Sequence, residues 1–308
     1  MDNLTHTLVG AALGEAGLKR RTALATPTLL VGANLPDVDA AAYLWGGLAA
    51  LEWRRGWTHS VLAWAVLPLL LAGAVLGLAR LAERRGWRPE RPVRPRQILL
   101  LAALAVWSHP FFDWLNTYGV RLLMPFSRRW LYGDTLFIVD PWLLLLLGTG
   151  VALARRRERR GSPAPARPAR LALGAAAAYV ALNFAGTQAA RRAVESAEPG
   201  ARRVLAGPAI LNPLRRELVV EGGDAYRLGS YSLLPGRGWA LDGPTISTQA
   251  AGPAARLARA TPEGAAFLRW ARFPYFRAEG DTLRILDARY FGPRGSWASV
   301  AVTAGNRE

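Results

Sequence analysis

Three histidines and a handful of aspartates stand where ionisable side chains are least expected. Each histidine lies in or beside an apolar segment with a hydroxyl residue next to it: Thr5-His6-Thr7, Thr58-His59-Ser60 and Ser108-His109-Pro110. Asp37 and Asp39 fall in Asn34-Leu-Pro-Asp-Val-Asp, Asp113 follows His109 by four, and Asp134 and Asp140 flank another apolar run. Ionisable groups at membrane depth are expensive and functional by default. His109 and Asp113 share one helix face and can reach a single ion, with Pro110 tolerated at a helix start or kink. Asp37 and Asp39 point to the same side if their loop is extended. The chain has no cysteine, so a metal here is bound by imidazole and carboxylate, a donor set that suits zinc and also admits manganese or iron. Thr58 and Ser108 are natural hydroxyl supports for such ligands, or else satisfy helix backbone. Asn116 and Asp134 are placed to orient ligands or substrate, with capping and turn formation as the ordinary alternative. Asp140 before Pro141 reads as a helix N-cap.

These residues need elements to hold them. Of 308 residues 51% are hydrophobic, yet the net charge is +17. Four apolar runs approach the roughly 20 residues needed to cross a bilayer: Val61 to Leu78, Gln97 to Tyr118, Phe137 to Ala154 and Leu171 to Ala190. Two shorter ones, Leu4 to Leu18 and Thr22 to Pro36, flank Lys19-Arg20-Arg21 and read as a half-inserted helical hairpin. The first residues carry Asp2 and no basic stretch, unlike a cleaved signal peptide. Gly161 to Arg170 is rich in Pro, Ala and Arg and reads as an exposed loop. Beyond residue 190 charges alternate with short Val, Leu, Ile and Tyr runs such as Glu217 to Glu221 and Thr282 to Leu286, punctuated by Gly222-Gly223 and Pro235-Gly236. The expected fold class is mainly α: a polytopic helical membrane domain over 1–190 carrying the metal site, and a small, β-rich extracytoplasmic domain over 191–308 with one helix near Pro262 to Ala271.

The basic residues give the orientation. Arg84 to Arg96 and Arg155 to Arg170, with Lys19, Arg20, Arg21 and Arg80, gather 17 cations against four acids, and such loops stay cytoplasmic. A basic nucleic-acid binder is disfavoured, because those loops carry no interleaved stacking aromatics. At about 1.5 Å per helical residue, His6 lies roughly 20 Å from Lys19, Asp37 roughly 24 Å from Arg21, His109 roughly 20 Å from Arg96 and His59 roughly 31 Å from Arg80. Four groups distant in sequence thus fall in one slab near the outer face.

The ordered set Met-Asp-x-x-Thr-His, Asn34-Leu-Pro-Asp-x-Asp, Arg55-Gly-x-Thr-His-Ser, Ser108-His-Pro-x-x-Asp-x-x-Asn-Thr-Tyr-Gly and Asp134-x-x-Phe-Ile-x-Asp-Pro resembles the YdjM-like family of bacterial inner-membrane proteins, described as metal-dependent hydrolases. The resemblance covers residues 1 to about 150. It extends distantly to the zinc-dependent phospholipase C and P1 nuclease group, an all-helical fold with a zinc cluster, in whose ligand order His6, Asp37, His59, His109 and Asp113 fall. That group uses further histidines after this point and none follows His109 here, so one or two ions are expected. The resemblance implies a multi-pass inner-membrane hydrolase whose substrate is a phospholipid or another phosphoester at the outer face. Asp37, His59, His109 and Asp113 would hold the first ion, His6 with Asp113 bridging would hold a second, and Asp39, or Asp37 if it is not a ligand, would be the catalytic base. Arg54, Arg55 and Arg121 would receive an anionic headgroup or anchor the interface. The competing class is a non-catalytic metal-binding membrane protein or an ion-handling transporter.

Overall fold

A computed structural model describes residues 1–280, 282–292 and 295–303. The chain divides into two compact units, one of residues 1–41 with 53–182 and one of residues 42–52 with 183–308. The boundary expected near residue 190 falls inside one long helix.

The helices are α1 (Asn3–Glu15), α2 (Ala25–Gly32), α3 (Gly47–Trp53), α4 (Val61–Arg84), α5 (Pro95–Trp114), α6 (Pro141–Arg159) and α7 (Arg167–Ala197), with 3₁₀ turns at Leu18–Arg20, Leu35–Trp45 and Trp57–His59. Their starts are written locally. Asp2 caps α1 by accepting from the Thr5 amide, Ser60 caps α4, and Asp140 caps α6 through the Leu143 amide with Pro141 in the first turn, as the sequence indicates. In the first unit α5 lies at the centre, with α2 and α4 against it, while α1 packs between α2 and α6. Leu29 and Ala33 meet Leu101 and Ala105 on one side of α5, and Leu71 and Ala72 meet Ile98, Ala102 and Val106 on the other. Close approach of α1 and α2 needs Gly10, where a β-carbon would sit 2.7 Å from the Leu29 carbonyl oxygen.

Four spans are expected, and two of the described helices, α4 and α7, are long and apolar enough to cross a membrane. Physical reasons separate them from the others. Leu69, Leu70 and Leu78 of α4 are more than half exposed, so this helix presents an apolar face outward. α5 exposes Leu100 and Trp107 but carries Gln97, Ser108, His109 and Asp113 within its length. α6 is apolar only to Ala154, then ends in Arg155, Arg156, Arg157, Glu158 and Arg159. The expected exposed loop at Gly161 to Arg170 is shorter than read, since α7 begins at Arg167.

The second unit is β-rich. β1 (Arg203–Ala209), β2 (Asn212–Gly222), β3 (Ala225–Ser232) and β4 (Trp239–Ala240) form an antiparallel sheet in that order, with β5 (Thr245–Ser247) also on β3. α8 (Pro253–Ala260) and α9 (Pro262–Trp270) precede a second antiparallel sheet, in which β7 (Thr282–Asp287) lies between β6 (Pro274–Glu279) and β10 (Ser299–Thr303). The short strands β8 (Phe291–Gly292) and β9 (Gly295–Ser296) pair with each other. Side chains alternate across β2: Val219 faces Leu205, Tyr226 and Phe273, whereas Leu218 and Val220 pack on Ala190 and Val194 of α7. Both faces are covered, which is why Leu218 to Val220 reads as a continuous apolar run.

Candidate metal centre

Three short stretches of chain meet inside the first unit. The 3₁₀ turn Leu35–Trp45 brings Asp37 and Asp39, the turn Trp57–His59 brings His59 just before α4, and α5 brings His109 and Asp113. His59, His109 and Asp113 have no exposed surface, and Asp37 is 8% exposed. One ligand atom of each of these four lies within 4.8 Å of all the others. Nε2 of His59 is 3.2 Å from Nε2 of His109, 3.2 Å from Oδ2 of Asp113 and 3.8 Å from Oδ1 of Asp37. Nε2 of His109 is 3.5 Å from Oδ2 of Asp113 and 3.7 Å from Oδ1 of Asp37. Ligands about 2.0–2.1 Å from a tetrahedral zinc ion stand about 3.3 Å from one another; the edges that involve the two imidazoles, 3.2–3.8 Å, lie close to that spacing, and all four atoms fall within 4.8 Å of one another.

Protonation strengthens the fit. Nδ1 of His109 lies 2.7 Å from the carbonyl oxygen of Ala33, which can only accept, so Nδ1 carries a proton and neutral His109 presents a bare Nε2. Nδ1 of His59 lies 3.2 Å from Oδ2 of Asp39 and 3.0 Å from Oγ1 of Thr58, and its Nε2 also faces the cluster. Oδ1 of Asp37 and Oδ2 of Asp113 are buried and accept no hydrogen bond. Four lone-pair atoms therefore converge on one point, which is unfavourable without a cation.

A model of the family described as YdjM inner membrane protein matches residues 1–190. The chain belongs to the YdjM inner membrane protein family. YfhP of Bacillus subtilis (strain 168), itself uncharacterized, is 28% identical over 156 residues, covering 47% of this chain and 43% of YfhP. The chain thus spans less than half the length of that relative. No solved structure matches.

In this YdjM-family chain the other candidate residues divide. Asp37 and Asp39 do not share a side: the 3₁₀ turn replaces the expected extended loop, so Asp37 faces the cluster while Asp39 stands behind His59. Oδ2 of Asp39 also accepts from the Arg55 amide at 2.7 Å and from Thr58 Oγ1 at 2.8 Å. His6 lies flat against His109, ring centroids 3.7 Å apart, with Nε2 3.4 Å from Oδ1 of Asp113, the oxygen turned away from the cluster. The Met1 amino group also contacts that oxygen. Ser108 turns back to the Ala105 carbonyl and does not reach the cluster. Asn116 is wholly buried, its Oδ1 accepting from the Tyr118 and Gly119 amides and from Arg55. Asp134 is buried in the left-handed region at φ 51°. Arg121 reaches back to the Arg54 carbonyl.

Arg55 lies nearer the cluster than the sequence suggests. Read as an anchor or headgroup contact, it is 4% exposed and lies inside the centre, Nη2 3.1 Å from Oδ1 of Asp113. The signal was available, since Arg55 sits four residues before His59 in the same short motif. A positive residue amid ligand aspartates looks like a surface anchor until the chain is folded.

Proposed function

We propose that this protein is a membrane-embedded metal-dependent hydrolase acting on a phosphoester, of the phospholipid-headgroup class, at the outer face of the membrane. The observation that carries the reading is the convergence of Asp37 Oδ1, His59 Nε2, His109 Nε2 and Asp113 Oδ2 within 4.8 Å of one another, with no hydrogen bond to either carboxylate oxygen. Those four residues would hold one divalent ion, zinc by the chemistry of the donors. Bound there, the ion would act as a Lewis acid toward a phosphoryl oxygen and lower the pKa of a coordinated water to about 7.

The chain's own groups serve the rest. Asp39 fixes the His59 ring through Oδ2, and its Oδ1, buried without a hydrogen-bond partner and 4.0 Å from Arg54 Nε on the side of the solvent-facing edge, is the candidate proton acceptor. Arg54, 20% exposed with Nη2 3.5 Å from Oδ1 of Asp37, stands at the solvent-facing edge of the centre, where an anionic phosphoryl oxygen would arrive. The basic ends of α4 and α6 favour a cytoplasmic position for the opposite pole of this unit under the positive-inside rule, and this supports an outward-facing site and an extracytoplasmic second unit.

One observation favours a second reading. Four protein ligands, three of them wholly buried, make the closed set typical of structural zinc, whereas catalytic sites keep a position open. Metal analysis of detergent-purified protein, with His109→Ala as comparison, tests both readings, and absence of any divalent transition metal in the parent refutes them. Hydrolysis of phosphodiester and phospholipid substrates with and without chelator then separates them. Chelator-sensitive turnover is expected, and metal-replete protein without turnover supports the structural role.

A further inference from the structure

We propose that Arg55 is a built-in second cation of this centre: it occupies the side of Asp113 that a second metal ion would need, so the site takes one divalent ion and Asp113 reaches it through a single oxygen. The inference rests on the metal-centre reading above.

The two oxygens of Asp113 lead separate lives. Oδ2 faces His59 and His109 and accepts no hydrogen bond. Oδ1 faces Arg55 Nη2 at 3.1 Å and His6 Nε2 at 3.4 Å, and the Met1 amino group contacts it as well, adding to the positive charge on that side. An aspartate bridging two ions needs Oδ1 for the second, and His6, whose Nε2 has no hydrogen-bond partner, is the imidazole such an ion would take. The guanidinium is already there. A dication on the same oxygen would stand within a few ångströms of a fixed positive charge in a buried site, where screening by water is weak.

Arg55 is also held too firmly to step aside. Its Nη1 donates to Asn116 Oδ1 at 3.3 Å and to the Gly119 carbonyl at 3.2 Å, and its guanidinium lies 4.6 Å from the centre of the Tyr118 ring. Its backbone sits in the left-handed region at φ 52°, with the amide on Asp39 and the carbonyl on the Arg121 amide. A non-glycine residue keeps that conformation only where its surroundings fix it. Gly119, at φ 87°, turns the chain so that its carbonyl reaches Arg55, and a β-carbon there would strike the Tyr132 ring. Two imidazoles, Asp37 and one oxygen of Asp113 leave a small tetrahedral site, which selects zinc or cobalt over the six-oxygen ions magnesium and calcium.

The test counts ions. Full-length protein in detergent is stripped with chelator, re-loaded with Zn²⁺ and assayed for bound metal per chain by mass spectrometry of the element, with size exclusion as the folding control. The parent and Arg55→Lys are expected to hold one ion per chain. Arg55→Gln, which removes the charge, is expected to take up a second, and adding His6→Ala is expected to return it to one. Two ions in the parent overturn the proposal and leave the metal centre standing, as does a count of one in folded Arg55→Gln. No ion in the parent overturns the metal centre itself. If Arg55→Gln does not fold, the parent's count of one or two decides.

Discussion

Asp39→Asn separates a metal centre from a mere cluster of buried polar groups. Asp39 touches none of the four converging atoms; it lies behind His59, with Oδ2 3.2 Å from Nδ1 and accepting from the Arg55 amide and Thr58. A carboxylate in that position fixes the tautomer and raises the basicity of the ligating nitrogen, and removing such a partner typically weakens metal binding 10–100-fold. Asparagine keeps the shape and can still accept from Nδ1 through its carbonyl, so the lost part is the charge. One charge-assisted hydrogen bond to a neutral ring has a net worth of about 1.5–3 kcal/mol, or roughly 10- to 150-fold at 1.4 kcal/mol per decade, which agrees with that range. Competition for Zn²⁺ against a chromophoric chelator in detergent measures it directly. The expected order is parent, then Asp39→Asn about tenfold or more weaker, then Asp37→Asn or His59→Ala without measurable binding. If Asp39→Asn binds as tightly as the parent, the His59 geometry is not functional. If it binds as poorly as His59→Ala, Asp39 is itself a ligand and the assignment of the two aspartates is reversed.

Metal removal should destabilise the first unit: an ion present at 1,000 times its dissociation constant adds about 4 kcal/mol, so chelation should lower Tm by several degrees and Zn²⁺ should restore it, and a Tm indifferent to both would be incompatible with the centre. Asp140→Ala removes the α6 cap and the acceptor of the Tyr179 hydroxyl, and should cost about 0.5–2 kcal/mol, measured as a shift in the denaturation midpoint. Hydrogen bonding from Lys19 holds the Glu158 carboxyl below its usual range. The sign follows: this pair adds stability above the ordinary carboxylate pKa and loses it as pH falls through the lowered one. Glu158 is 40% exposed, so the gain is at most about 1 kcal/mol, and the Tm difference between parent and Glu158→Gln should vanish in acid.

How far the sequence carries depends on whether an interaction is local. The Asp140 cap, the helix at Pro262 and the strands around Val219 and Ile285 are set by neighbouring residues, and they form where the pattern puts them. The shared face of His109 and Asp113 follows from one helical turn. Apolar runs are less decisive about surroundings, because α5 turns Ile98, Leu101, Ala102 and Ala105 to neighbouring helices while Leu100 and Trp107 are exposed. Apolar content measures what must leave water, without saying whether protein or lipid receives it. The aspartate pair was misjudged for a related reason: a spacing of two gives one face in a strand and different faces in a 3₁₀ turn, and the turn is fixed by what His59 and Arg55 require from elsewhere in the chain.

The short run from Arg55 to Ser60 ties these facts together. Its first residue holds Asp39 through the backbone and Asp113 through the side chain; Thr58 holds Asp39 again; His59 faces the centre; and Ser60 caps α4. Candidate ligand, support for that ligand, and the start of an outward-facing apolar helix are thus consecutive. α4 cannot shift along its axis by a turn, about 5.4 Å, without carrying His59 Nε2 away from the three atoms that lie 3.2–3.8 Å from it. The depth of the centre and the depth of α4 are therefore one quantity, and whatever surface receives the exposed leucines of α4 also sets how far the edge at Arg54 and Asp37 lies from headgroup level.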